Sequence, residues 1–243
     1  MTYIISMKKV AIIDSGSGGI NVLAMCLSAC PCFNYLLYID DKNLPYGNKS
    51  VETLREIATK IVQNLIKVFS PSIIIIGCNT LTAVALKYLE KTFPTITFIG
   101  TYPDIEGAKK LGSYLTLATK VTIENSSVLA GDREHCFCPV DLPKIIDENL
   151  QNRENISQYL QKTLPKGNFD SIVLGCTHFE GIKKELSQIY GNPTYFDGSV
   201  KVASRLKRYS YGSDYQVQII CSRDKFPEFY AYFSDIISAS KFL

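Results

Sequence analysis

Short, uninterrupted apolar runs recur along the chain and stop at small or polar residues. Lys9 to Ile13, Tyr35 to Ile39, Ile73 to Ile76 and Thr95 to Ile99 form a first series. Leu115 to Thr119, Phe169 to Leu174, Thr194 to Asp197 and Tyr215 to Cys221 form a second, with a short candidate between Asp132 and Cys138. Runs this brief and this apolar predict strands covered on both faces, the habit of parallel sheets. The stretches between them carry helical patterning: Ile20 to Leu27, Val51 to Phe69, Leu81 to Leu89, Val140 to Leu150, Ile156 to Leu164, Gly181 to Leu186, Val200 to Arg208 and Phe226 to Ile237. Ser50 and Thr53 suit the opening of the second of these. Strand and helix in alternation predict an open-sheet α/β fold.

Two of the runs end alike. Ile73-Ile74-Ile75-Ile76-Gly77-Cys78-Asn79-Thr80 and Ile172-Val173-Leu174-Gly175-Cys176-Thr177-His178 each deliver Gly-Cys and a small polar residue from the carboxyl end of a strand. Open α/β sheets keep their chemistry at that end. A helix start beyond each cysteine favours thiolate over thiol and offers N–H groups to a carboxylate. The first strand ends in Asp14-Ser15-Gly16-Ser17-Gly18-Gly19, and Leu115 to Thr119 ends in hydroxyls at the matching point, so the chain reads as a pseudo-twofold duplication. The predicted division is 1–98 with 207–243 as a first α/β domain carrying Asp14 and Cys78. Residues 99–206 form a second carrying Cys176 and His178, with the active site in the cleft between them.

Composition narrows the possibilities. With 243 residues and 46% hydrophobic content the chain can bury two modest cores. Its 26 basic and 23 acidic residues are scattered, a solvated surface that gives no ground for a nucleic-acid or membrane partner. Without a membrane-length apolar stretch or a signal-peptide core, the expected location is the cytoplasm, with Met1 to Ser6 as an unstructured extension. Eight cysteines match no common zinc spacing, since Cys30-Pro31-Cys32 and Cys136-Phe137-Cys138 lack C-x2-C partners. His135 beside Cys136 is a conceivable ligand pair, but no metal is expected.

Each feature also has a plainer explanation. A single strand-end cysteine is ordinarily inert core, His178 alone suits a buried structural histidine, and Pro45-Tyr46-Gly47 alone is an ordinary turn. Asp14 could cap the following helix, and capping is the preferred role for Asp197. Two matching Gly-Cys-polar junctions are harder to explain by packing.

Four motifs in register resemble the glutamate racemases of the cofactor-independent aspartate/glutamate racemase superfamily. They are Asp14-Ser15-Gly16-Ser17-Gly18-Gly19, Pro45-Tyr46-Gly47-Asn48-Lys49-Ser50, Gly77-Cys78-Asn79-Thr80-Leu81-Thr82-Ala83 and Leu174-Gly175-Cys176-Thr177-His178-Phe179. The likeness runs from about Lys9 to the C-terminus, where Ser222 to Phe226 resembles the family's last strand-to-helix turn. It implies racemisation of L- and D-glutamate without cofactor, supplying D-glutamate for peptidoglycan. Cys78 would be the base toward the D-isomer and Cys176 toward the L-isomer, assisted by Asp14 and His178 respectively. The likeness also implies that Ser15, Asn79, Thr80, Thr119 and Thr177 hold the α-carboxylate and α-ammonium, with Pro45, Tyr46 and Gly47 at the side-chain carboxylate. A homodimer is the implied assembly. The chemistry agrees: inversion at an α-carbon without an electron sink needs a base on one face and an acid on the other.

The chain departs from the family pattern in places. Ser17 stands in a Gly-Val-Gly-Gly motif, and Phe179-Glu180 replaces Tyr-Pro, adding a charge expected beside the site. Gly100 to Asp104 lacks the family's glutamate after the fourth strand. The family glutamate near the second cysteine falls near Ile146-Asp147-Glu148, with no choice among them from sequence. The alternatives are an aspartate racemase, a non-catalytic amino-acid-binding relative and a dithiol redox protein.

Overall fold

The computed structural model describes residues 8–210, 215–222, 229 and 231–234. The expected N-terminal extension lies outside the described residues, as do 223–226 of the final turn. Of the helix expected at 226–237, Phe229 and 231–234 are described and are helical.

The first half alternates strand and helix: β1 (Lys9–Asp14), α1 (Gly18–Ala29), β2 (Asn34–Ile39), α2 (Val51–Val68), β3 (Ile73–Ile76), α3 (Asn79–Thr92) and β4 (Thr97–Gly100). The second half holds α4 (Ile105–Lys109), β5 (Tyr114–Ala118), α5 (Lys120–Asn125), β6 (Cys136–Phe137), α6 (Leu142–Glu148) and α7 (Glu154–Thr163). After these come β7 (Ser171–Gly175), α8 (Lys183–Tyr190), β8 (Thr194–Asp197), α9 (Ser199–Lys207) and β9 (Gln216–Cys221). Ser50 caps α2 as its position suggests, accepting the Thr53 amide at 3.2 Å.

Among the described residues the strands form two parallel sheets, ordered β4-β3-β1-β2-β9 and β6-β5-β7-β8. Read from the other edge, the second sheet runs β8-β7-β5-β6, so β5, β6, β7 and β8 repeat the places of β1, β2, β3 and β4. The repeated Gly-Cys ends thus follow equivalent strands. The structure is the expected pair of open-sheet α/β domains, with β9 returning to extend the first sheet.

Both faces of each sheet are covered, which is why the strands lack polar alternation. Ala11, Ile13, Ile74 and Ile76 face α2 and α3, whereas Val10, Ile12, Ile73 and Ile75 face a core that includes Leu23 of α1, Val202 and Leu206 of α9, and Phe229. Each isoleucine of β3 is at most 2% exposed, a burial that contributes about 1.5–3 kcal/mol per side chain. In the second domain Leu115, Leu117, Ile172 and Leu174 pack on α6, α7 and α8, and Val173 lies on the opposite side with α4. The inner strands of each sheet bring Asp14, Cys78, Thr119 and Cys176 to their carboxyl ends.

Candidate active site

Cys78 is the N-cap of α3, as its motif predicts. The counterpart differs: Cys176 leads into a 3-10 turn over Thr177–Ile182, and α8 starts only at Lys183 rather than at 181. The tight turn sets His178 beside the thiol, with Nδ1 3.6 Å from Cys176 Sγ. On its other side His178 Nε2 meets Asp147 Oδ2 at 3.3 Å. These three groups form a buried line from thiol to imidazole to carboxylate.

Of Ile146, Asp147 and Glu148, it is Asp147 that the structure sets against His178. Ile146 packs in the hydrophobic core and Glu148 is exposed, whereas the Asp147 carboxylate faces His178. Burial pulls the imidazole's pKa down, but Asp147 and Cys176 outweigh it and hold His178 well above the ordinary range.

Asp14 is fully buried at the tip of β1. It accepts the Gly16 amide at 3.1 Å and the Thr177 hydroxyl at 3.0 Å. Burial raises its pKa to about 6, against the lowering effects of His178 and these two donors. Cys78 is pushed up to about 12 by burial, then by Asp14 and Cys176. The Leu81 amide favours the thiolate but does not prevail. Cys78 is consequently a thiol at rest, contrary to the expectation from its helix start, because desolvation outweighs the dipole.

Ser15, Pro45, Tyr46, Gly47, Cys78, Thr80, Thr119, Cys176 and His178 line one narrow pocket between the domains. Asp14, Asn79 and Thr177 are not among its lining. Asp14 and Thr177 bond one another, and Asn79 donates to the Thr101 carbonyl at 3.3 Å, leaving its own Oδ1 without a partner. Across the cleft Thr80 Oγ1 meets Thr119 Oγ1 at 2.8 Å and Thr122 Oγ1 at 3.2 Å. Tyr46 donates its hydroxyl to Asp40 at 2.7 Å. The pocket encloses about 20 Å3, room for a single water. Lys120, Cys138, Val140 and Pro143 also line it, residues that no motif marked.

The charge expected beside the site lies elsewhere. Glu180 turns away from the pocket and pairs with Lys183 at 2.6 Å, near Asp197. Asp104 caps α4 and meets Lys201 at 2.8 Å. Asp197, expected to cap, instead precedes the N-cap Gly198 of α9 and accepts the Ser199 amide at 2.7 Å.

Such a pocket, closed by two parallel α/β domains with a thiol from each, defines a class of protein suited to acid–base chemistry on a small molecule. A search against family profiles finds no match. Solved structures share the fold: glutamate racemase from Escherichia coli superposes with a TM-score of 0.78 at 23% identity, covering 95% of this chain and 96% of that one. The enzyme from Bacillus anthracis gives 0.81 at 20% identity, covering 95% and 94%. Sequence relatives are more direct. The glutamate racemase of Clostridium acetobutylicum is 32% identical over 214 residues, 83% of each chain, and that of Haemophilus ducreyi is 31% identical over 226 residues, 87% of this chain and 85% of its own. The chain belongs to the glutamate racemase family.

Proposed function

We propose that the protein interconverts L- and D-glutamate without a cofactor, using Cys176 and Cys78 as opposed acid and base. The observation that carries this is one buried pocket lined by a thiol from each domain, each thiol with its own proton-handling partner. The Escherichia coli relative was solved with L-glutamate, which supports glutamate as the substrate here.

From L-glutamate, Cys176 takes the α-proton while the Cys78 thiol supplies one to the opposite face. His178, held by Asp147, stabilises negative charge on Cys176 when that sulfur is unprotonated. Asp14 receives the proton of Cys78 when that sulfur must act as base, the direction starting from D-glutamate. Ser15, Thr80, Thr119 and the amides at the start of α3 suit the substrate's α-carboxylate, on which carbanion charge collects. Asn79, whose buried oxygen has no partner, and Thr177 lie behind the lining and would reach the α-carboxylate or α-ammonium only as the pocket widens. Pro45, Tyr46 and Gly47 form the end for the side-chain carboxylate. A pocket of about 20 Å3 must widen to admit an amino acid.

The working division of the chain is 1–98 with 207–243 against 99–206, with Val202 and Leu206 of α9 packed in the core of the first sheet. Among the described residues no helix is long and apolar enough to cross a membrane. The family likeness supports a cytoplasmic homodimer making D-glutamate for peptidoglycan.

The test incubates L-glutamate, and separately L-aspartate, with enzyme in deuterated buffer, following optical rotation and α-deuterium. Inversion coupled to deuterium incorporation, lost in Cys78→Ala and in Cys176→Ala, is the expected result with glutamate. Exchange with aspartate alone would redirect the substrate assignment, and binding without exchange would overturn the catalytic reading.

A further inference from the structure

The loop that leaves β1 does more than turn the chain. Ser17 donates its amide to both oxygens of Asp147 at 3.2 Å, and its hydroxyl makes a short hydrogen bond to Asp147 Oδ1. The two residues lie 130 positions apart, on opposite domains. Both are buried, at 1% and 3% exposure. Asp147 lies near the C-terminal end of α6, where the helix's own carbonyls disfavour a negative charge. Its stabilising donors come instead from Ser17, the N-cap of α1, and from His178. The neighbouring glycines permit the approach: a Cβ on Gly16 would overlap Asp147 and His178, and one on Gly18 would overlap Thr177.

We propose that Ser17 is a positioning residue for the reaction: from the first domain it fixes the Asp147 carboxylate, which in turn holds His178 against Cys176 in the second. This rests on the two-thiol reading given above. The link has a reciprocal, because Thr177 of the second domain donates to Asp14, the partner of Cys78. Thr177 thus bonds the partner of Cys78 directly, and Ser17 bonds the partner of Cys176 through Asp147, each from the opposite domain.

The test compares the wild type with Ser17→Ala, Ser17→Thr and the two cysteine variants, using α-deuterated L- and D-glutamate. The equilibrium constant of a racemisation is one, so kcat/KM must fall equally in both directions; Ser17→Ala is expected to lower it about tenfold, mostly in kcat. The isotope effects separate positioning from general loosening. With proton transfer through Cys176 slowed, the primary effect on L-glutamate rises, because abstraction becomes more rate-limiting. That on D-glutamate falls toward unity, because donation by Cys176 follows the isotopic step. Ser17→Thr, which keeps the hydroxyl, restores the wild-type pattern. An unchanged rate in Ser17→Ala, or isotope effects that move together, would overturn the proposal while leaving the racemase assignment intact. Full activity in Cys78→Ala or Cys176→Ala would instead sink the two-thiol reading. Should Ser17→Ala not fold, Asp147→Asn tests the same link and must show the same split.

Discussion

The carboxylate of Asp14 sets a pH dependence that can be worked from its surroundings. Its pKa of about 6 reflects complete burial, partly offset by His178, the Gly16 amide and the Thr177 hydroxyl. Asp14 must be ionised to take the proton of Cys78, so kcat/KM for D-glutamate should rise through pH 6 and then level off. At pH 5 only about one-tenth of a group with that pKa is ionised, giving a rate about tenfold below the plateau. An ordinary carboxylate would leave the rate undiminished there. Thr177→Val removes a 3.0 Å donor to a buried charge, an interaction worth about 1.5–3 kcal/mol. That corresponds to about one to two pH units, so the limb should move to about 7–8. The assay follows optical rotation at substrate concentrations below KM from pH 4.5 to 9, with a thermal melt of each variant at the same pH values. Loss of substrate contacts alone would lower the plateau without moving the limb. A limb that stays near 6 in Thr177→Val, or that survives in Asp14→Asn, would refute the assignment.

Other substitutions probe packing and charge. Gly16→Ala drives a methyl into Asp147 and His178 of the other domain; kcat/KM should drop by about a hundredfold, with melting temperature as the control for folding. Glu180 has its pKa raised to about 8, chiefly by burial. Between pH 4.5 and 8 the folded protein therefore binds more protons at this site than the unfolded chain, and stability falls as pH rises across that window. Glu180→Gln should match the wild type at pH 4 and be more stable at pH 8 by about 4 kcal/mol, measured by urea unfolding at both values. Arg153 forms a forked pair with Glu185 at 2.7 and 2.9 Å. Arg153→Ala should cost about 1–3 kcal/mol by the same method.

Much of the architecture is legible locally. Four consecutive isoleucines in β3 admit no solvent face, so a strand covered on both sides is the natural outcome. Ser50 followed by Thr53 marks the start of α2 because one side-chain oxygen satisfies a free amide three residues on. The Gly-Cys junctions announce the two thiols, and the order of the strands repeats where those junctions repeat. Family motifs likewise gather Pro45, Tyr46 and Gly47 at the same pocket as Cys78 and Cys176.

Other features were settled only by the tertiary fold. Nothing within Ile146-Asp147-Glu148 selects Asp147; the choice depends on His178 approaching from 31 residues away and Ser17 from 130. The thiol state of Cys78 follows from being buried with Asp14, and the sequence displays its helix start but not its desolvation. Glu180 sits two residues from His178 in sequence, yet the 3-10 turn sends it to Lys183 and Asp197 instead of the pocket. Periodicity and capping act over a few residues, so the sequence by itself determined strands, helices and the identity of the thiols. Burial, charge pairing and the contacts across the cleft depend on distances between residues far apart in the chain, and only the closed tertiary structure decides those.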